Sequence, residues 1–550
     1  MNEHKITVKT FSTFGNLIKD LPSPIDSVCD PNNDKIAYLD DYLRTIRCQT
    51  VVIEDCYVDK NFLEDYARYY SRCFQEYPKK CVRVHFFAAK FGIRRLKNYL
   101  NRPLHSNEGL FYDGSYLGFI VFRPLPNAPL AKVCLTTYRD EIGKHRHFPV
   151  LKDYFVHFLG SELSVKSLAF QEQDRALSAC ATSALWSAFH GSSGLDVNTV
   201  SAPSRITENA KKIIPQATSN HPHRGLTPAQ MSNSIREEGL EPLLYNFINT
   251  SYLKALLRAY LSVGVAPVLG MTLYYGDEQG VLANGIPRTI PIGDHAVAVA
   301  GYNMSENQPK EFKADDIGTN IPVILRQPMY LLSSSIDKLY VHDDEVGPFV
   351  KMEFGDEYWQ HLKTRWHMYR KNRDEINATV RDILLPKPHK IRISFNTIFS
   401  IIREFNSLYM GGWYDDGGRV VWDIYLTTVN DFKQEIRSYD TNYFLQPKHK
   451  MSLLSLSLPR YIWRVDGYML EKSDQKMTKK SFTYIFDATE IENSDLFVCA
   501  VHYDLFSRID IFLSVLNPLL TPQLNTVSKF SQSYRIAEEY FDLKSNRILY

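Results

Sequence analysis

The sequence predicts an α+β chain in three parts: an N-terminal mixed α/β domain at 1–162, a central unit at 163–356 and a C-terminal α+β domain at 357–550. Three observations lead there. Helix-period and strand-like segments follow one another along the whole length. A chain of 550 residues carries material for several cores. Beyond 356 the composition shifts to the basic, aromatic stretch YWQHLKTRWHMYRKNRDEIN, a mark of a boundary, which is read as helical in spacing and solvated rather than as a nucleic-acid surface.

In the N-terminal part, IAYLDDYLRTIRC is apolar at helical spacing and TVVIEDCYV reads as a strand. FLEDYARYYSRCF is a second helical segment, CVRVHFFAAKF a second strand, and SYLGFIVFRPL a strand stopped by proline. The first residues, MNEHKITVKTFSTFGNLIKD, lack the basic-then-apolar layout of a signal peptide. In the central part, Thr227 is a good N-cap, Pro228 suits the first helical position and Gly239 closes that helix. SYLKALLRAYLSVG is a further helix. The uncharged stretch at 259–275, AYLSVGVAPVLGMTLYY, approaches the length of a membrane span. Gly264, Pro267 and Gly270 interrupt it, so it reads as a helix end, a turn and a buried strand, and no membrane association is expected. The C-terminal part combines a helix, FNTIFSIIREFNSLY, with strands such as RVVWDIYLTTV, SLPRYIWRVDGYML, FTYIFDATEI and DLFVCAVHYD.

A net charge of +2 gives no electrostatic ground for nucleic acid or an anionic membrane as partner. Eight cysteines without a CxxC pair are too sparse for a disulfide scaffold, which points to a reducing, cytoplasmic setting. No phosphate-binding GxxxxGK[ST] occurs, and the glycines of GMTLYYGDEQG and GGWYDDGG read as turns. HPHR at 221–224, with His190, lacks a Cys or carboxylate at ligand spacing. No metal and no cofactor are therefore expected.

The chemistry concentrates around FQEQDRALSACATSALWSAFH. Cys180 stands at the mouth of a helix whose small residues, Ser183, Ala184, Ser187 and Ala188, let other backbone approach. Taken alone, it would be one more small buried hydrophobe. Downstream, GDHAVAVAGYN starts an Ala/Val strand with His295, and DKLYVHDDEVGPF runs a strand into Asp343 and Asp344. A thiolate is the attacking form of cysteine, and a helix N-terminus favours it with partial positive charge and unpaired N–H groups. An imidazole within reach holds the proton and later passes it to the leaving group, while a carboxylate fixes the ring's tautomer and orientation.

Helix-borne cysteine, strand-borne histidine and strand-terminal acid, in that order, resemble the papain-like cysteine peptidases. The resemblance is closer to the bacterial peptidase domains that clip leader peptides and to their cytosolic relatives, and it covers roughly 185 residues of the central part. It implies Cys180 as nucleophile, His295 as general base and acid, Asp343 (or Asp344) as orienter, and Gln173 (or Gln171) as the amide that stabilises the oxyanion with the Cys180 N–H. The sequence departs from the family pattern in Ala181 after the nucleophile, in Asp344 after Asp343, and in the separation of 48 positions from His295 to Asp343. The long intervening segment is expected to be a surface insertion, a lid or a substrate-binding flap. The implied activity is thiol-dependent acyl transfer or peptide-bond hydrolysis on a protein or peptide substrate, with a regulatory protein partner admitted by the long flanks. The rival expectations are a silent peptidase fold serving as a binding scaffold, and a partner-activated protease effector of toxin or defence systems.

Overall fold

The β-branched and aromatic runs of the first third pair into one antiparallel sheet of five strands, in chain order. These are Ile6–Thr10 (β1), Thr50–Tyr57 (β2), Cys81–Phe87 (β3), Tyr116–Phe122 (β4) and Leu130–Leu135 (β5). This computed structural model describes residues 6–25, 34–101, 115–126, 128–139, 145–174, 176, 179–192, 200–212, 225–246, 249–281, 287–306, 309–312, 328–355, 361–364, 376–409, 419–438, 447–470, 477–491, 496–502, 541–542 and 547–548. The helix Asp34–Thr45 (α1) buries Ile36, Tyr38, Leu39, Tyr42 and Leu43, the three-and-four spacing of an amphipathic helix. The ladder does not stop at β5. Phe170 and Val133 exchange both backbone hydrogen bonds, at 2.8 and 3.0 Å, so the chain leading to Cys180 is drawn along the sheet edge.

A closed six-stranded barrel follows, in a fold that mixes helix and strand throughout. Its staves are Val268–Val281 (β6), Pro287–Met304 (β7), Ile336–Asp343 (β8), Gly347–Phe354 (β9), His361–Thr364 (β10) and Ile376–Lys387 (β11). β11 pairs back onto β6 and closes the ring, which leaves no free edge on those strands. The Ala/Val run of β7 is buried from Ala296 to Ala300, because a stave of a covered barrel meets packing on both faces. Gly301 is required there: a Cβ would lie 2.4 Å from the His147 carbonyl oxygen.

The helix Cys180–Ser192 (α2) lies against β6 and β11. It is buried from Ala181 through Phe189, so its small and large sides both serve packing. Pro228–Glu237 (α3) begins with a capping box in which Thr227 and Gln230 satisfy each other's backbone N–H, and it ends before Gly239 at φ +80°. Thr250–Leu261 (α4) precedes the turn and β6 across 259–275, the helix, turn and buried strand expected of that stretch. No helix among the described residues is long and apolar enough to cross a membrane.

The packing falls into two compact units, neither of them a continuous stretch of chain. The first comprises Met1–Ile248, Gly264–Asn303 and Asp337–Pro388, and so contains the five-stranded sheet and the barrel. The second comprises Asn249–Val263, Met304–Ile336 and His389–Tyr550. Its sheet runs through Arg419–Thr428, Tyr461–Leu470, Met477–Asp487 and Phe497–His502, with Tyr330–Leu331 parallel at one edge. The boundary expected at 356/357 falls between β9 and β10. The helical reading of the basic, aromatic stretch is corrected where it is described: His361–Thr364 is a strand, because barrel closure recruits those residues into the ladder of β9 and β11. Residues 365–375, HPHR at 221–224 and GGWYDDGG at 411–418 lie outside the described residues.

Candidate active site

Cys180 opens α2. Among the described residues the first intrahelical bond runs from the Ser183 N–H to the Ala179 carbonyl at 3.0 Å, so Cys180 stands in the first turn of the helix. The thiol is half-buried and sits at the positive end of the helix. His295 enters from β7, opposite Met271 of β6, and is buried. Its Nε2 meets Asp343 Oδ2 at 3.0 Å, and the Cys180 side chain is near enough to favour the protonated ring.

Asp343 ends β8, the stave next to β7 in the barrel. It is fully buried and uses both oxygens: Oδ1 accepts the N–H groups of Glu345 at 2.9 Å and Val346 at 3.2 Å, leaving Oδ2 for the histidine. A turn residue and an orienting carboxylate are thus the same side chain. The turn leads to Gly347, where a Cβ would meet the Tyr38 ring at 2.5 Å, and the Tyr38 hydroxyl donates to the Pro348 carbonyl. Helix α1 therefore rests on the loop that follows Asp343.

Asp344 is the second carboxylate at the ring, with Oδ1 3.8 Å from His295 Nε2. Both its oxygens are buried and lack a hydrogen-bond partner among the described residues. Burial, opposed by the His295 charge and reinforced by Asp343 and Glu345, pushes its acid up to about 7. For His295, burial is the largest single influence and disfavours the imidazolium. The Asp343 charge, hydrogen bonds with Asp343 and Cys180, and the Asp344 charge outweigh it, and hold the ring well above the ordinary imidazole range. His342 points away, packing edge-on against Phe170 and Phe349, and burial pushes it down to about 3, so it stays neutral.

The ligand atoms of His295, Asp343 and Asp344 lie within 4.8 Å of one another, close enough to hold a cation. In this geometry Nε2 is already engaged with Asp343, and the nearby thiol of Cys180 makes the group one that can serve a proton relay. The two glutamines differ in setting. Gln171 is 3% exposed, and its Oε1 has no partner among the described residues; Gln173 is half-buried.

Sequence reasoning picked out Cys180, His295 and Asp343, and the fold brings these three together. Of the alternatives it left open, Asp344 lies 3.8 Å from the same ring nitrogen and Gln171 is buried. Sequence reasoning missed Lys35 and Glu172, whose ion pair joins residues 137 positions apart and leaves no local signal. No protein-family model matches the chain, and no curated protein matches it either.

Proposed function

We propose that the chain is a papain-like cysteine peptidase, or a thiol-dependent acyl transferase of the same chemistry, acting on a peptide or protein amide in the cytoplasm. The observation that carries the reading is the pairing of the buried His295 imidazole with the buried Asp343 carboxylate at 3.0 Å, with the helix-mouth thiol of Cys180 near enough to favour the protonated ring. The resemblance in motif order supports it independently. The absence of disulfides among the seven described cysteines agrees with a reducing setting.

In this reading His295 takes the thiol proton and the Cys180 sulfur attacks the carbonyl carbon, forming an S–C bond and an oxyanion. The oxyanion is met by the Cys180 N–H and a glutamine amide, with Gln171 favoured over the Gln173 expected from sequence by its burial. The imidazolium then gives its proton to the leaving amine as the C–N bond breaks. Water or another amine releases the acyl group by the same steps in reverse. Asp343 keeps the ring in the one orientation that serves both transfers.

The test is the rate of Cys180 alkylation by iodoacetamide against pH, in the full chain and in His295→Ala. A thiolate–imidazolium pair labels rapidly well below about pH 8, and the histidine variant loses that reactivity. An ordinary thiol profile in both proteins overturns the enzymatic reading and leaves a binding scaffold. A proteome exposed to wild type and to Cys180→Ala then identifies cleaved substrates, and activity that appears only with an added partner marks the effector alternative.

A further inference from the structure

The residue between the two glutamines is held more firmly than any catalytic role of its own would require. Glu172 is 1% exposed. Its Oε1 pairs with Lys35 of α1, and its Oε2 accepts the Leu130 N–H at 3.2 Å. Its backbone N–H donates to the Leu130 carbonyl at 3.2 Å, and its own carbonyl accepts from Arg123 Nη2 at 2.8 Å. Arg123 is itself buried and anchored through Nε to the Ala128 carbonyl at 2.7 Å. On either side the strand is tied again, by the Phe170–Val133 bridge and by the Tyr70 hydroxyl donating to Asp174 at 2.6 Å.

We propose that Glu172 is a positioning residue: clamped by Lys35, Arg123 and Leu130, it sets the strand that carries Gln171 and so places the oxyanion donor beside Cys180. The inference rests on the peptidase reading above and adds to it a role for the N-terminal sheet. A buried carboxylate is tolerated only when paired and hydrogen-bonded, so this clamp exists in one arrangement. Gln171 lies directly between the Phe170–Val133 bridge and Glu172, so a shift of the clamped backbone at Glu172 carries Gln171 with it. Helix α1 supplies Lys35 to this strand and Tyr38 to the loop after Asp343, which couples the two sides of the site through one element. Misplacing a catalytic group by an ångström costs roughly 100-fold in rate.

Two probes separate the roles. Iodoacetamide is displaced at saturated carbon: the S–C bond forms, iodide leaves, and no oxyanion arises. p-Nitrophenyl acetate is attacked at a carbonyl: the S–C bond forms, an oxyanion develops, and the C–O bond breaks with the electron pair leaving on p-nitrophenolate. In the full chain, Glu172→Gln and Lys35→Met are expected to keep wild-type iodoacetamide labelling and to lose about 10- to 100-fold in the p-nitrophenolate burst rate. Lys35→Arg, which keeps the charge on the carboxylate, is expected to retain most of the burst. Bursts at the wild-type rate in Glu172→Gln and Lys35→Met, both folded by circular dichroism, overturn the proposal. If Glu172→Gln does not fold, the Lys35→Met and Lys35→Arg pair decides alone, because Lys35 lies nearer the surface. Wild-type protein that labels slowly with iodoacetamide and does not depend on His295 overturns the peptidase reading, and this one with it. A failure of the clamp alone leaves fast, His295-dependent labelling intact.

Discussion

Replacing Asp343 by asparagine exchanges one carboxylate oxygen for an amide nitrogen at nearly constant volume. The carboxylate now satisfies three donors: His295 Nε2 at 3.0 Å and the backbone N–H groups of Glu345 and Val346 at 2.9 and 3.2 Å. An amide has only one acceptor oxygen. If that oxygen stays on the turn, the amide NH₂ faces Nε2 and demands a lone pair there, which a protonated ring does not have. The imidazolium then loses a charge-assisted hydrogen bond worth about 1.5–3 kcal/mol. At about 1.4 kcal/mol per pH unit, the pair should form one to two units less readily, and labelling near pH 6 should fall roughly 10- to 100-fold. The assay is the second-order rate of iodoacetamide labelling between about pH 5 and 8, for wild type, Asp343→Asn and Asp344→Asn. Loss in Asp344→Asn with none in Asp343→Asn would move the orienting role to the carboxylate at 3.8 Å. No loss in either refutes the relay.

Asp344 carries a pH signature of its own. Its acid is raised from 3.8 to about 7, so folding favours the protonated form; the associated stability is present below about pH 4 and lost as pH rises through about 7. Asp344→Asn, always neutral, should therefore melt above wild type near pH 8, with the gap closing toward pH 4; a gap independent of pH contradicts this. His342 has the opposite sign. Burial depresses it from 6.5 to about 3, so its contribution is present above about pH 6.5 and lost as pH falls through about 3. His342→Phe, compatible with the flanking rings of Phe170 and Phe349, should lose less stability than wild type on acidification, as read by denaturant midpoints. Gly301→Ala places a Cβ 2.4 Å from backbone and 2.6 Å from the Phe148 ring, and should cost about 1–3 kcal/mol. An unchanged midpoint would mean that β7 can move away from 147–148.

Local signals read well in this chain. Thr227, Pro228 and Gln230 form the cap that their residue types announce, and the strands Thr50–Tyr57, Cys81–Phe87 and Tyr116–Phe122 coincide with β-branched and aromatic runs. Cys180 and Asp343 were legible because they stand at the start and the end of strongly patterned elements, and His295 because it heads the Ala/Val run within β7. What depends on tertiary closure was not legible. His361–Thr364 carries helical spacing yet lies in a barrel stave, since the ladder between β9 and β11 outweighs propensity. Glu172 has no local signal in the sequence, and its pairing with Lys35 is a tertiary feature. The interleaving of two packing units, with Asn249–Val263 and Met304–Ile336 leaving the first for the second, has no compositional mark at all.

That interleaving bears on why base and orienter still meet across 48 residues. The segment Met304–Ile336 is assigned to the second unit, while the body of β7 and of β8 belongs to the first. Its roots are joined in the first unit, where Asn303 Nδ2 donates to Asp337 Oδ1 at 2.8 Å. Once two neighbouring staves are fixed by their ladder, the length of chain between them enters only as a closure entropy that grows logarithmically, about 0.6 kcal/mol per doubling. The distance from His295 to Asp343 is then a property of barrel register, and it does not depend on the intervening sequence. A long insertion at this point costs little in stability and leaves the His295–Asp343 geometry alone, which is the condition under which a second unit can be built from the middle of the first.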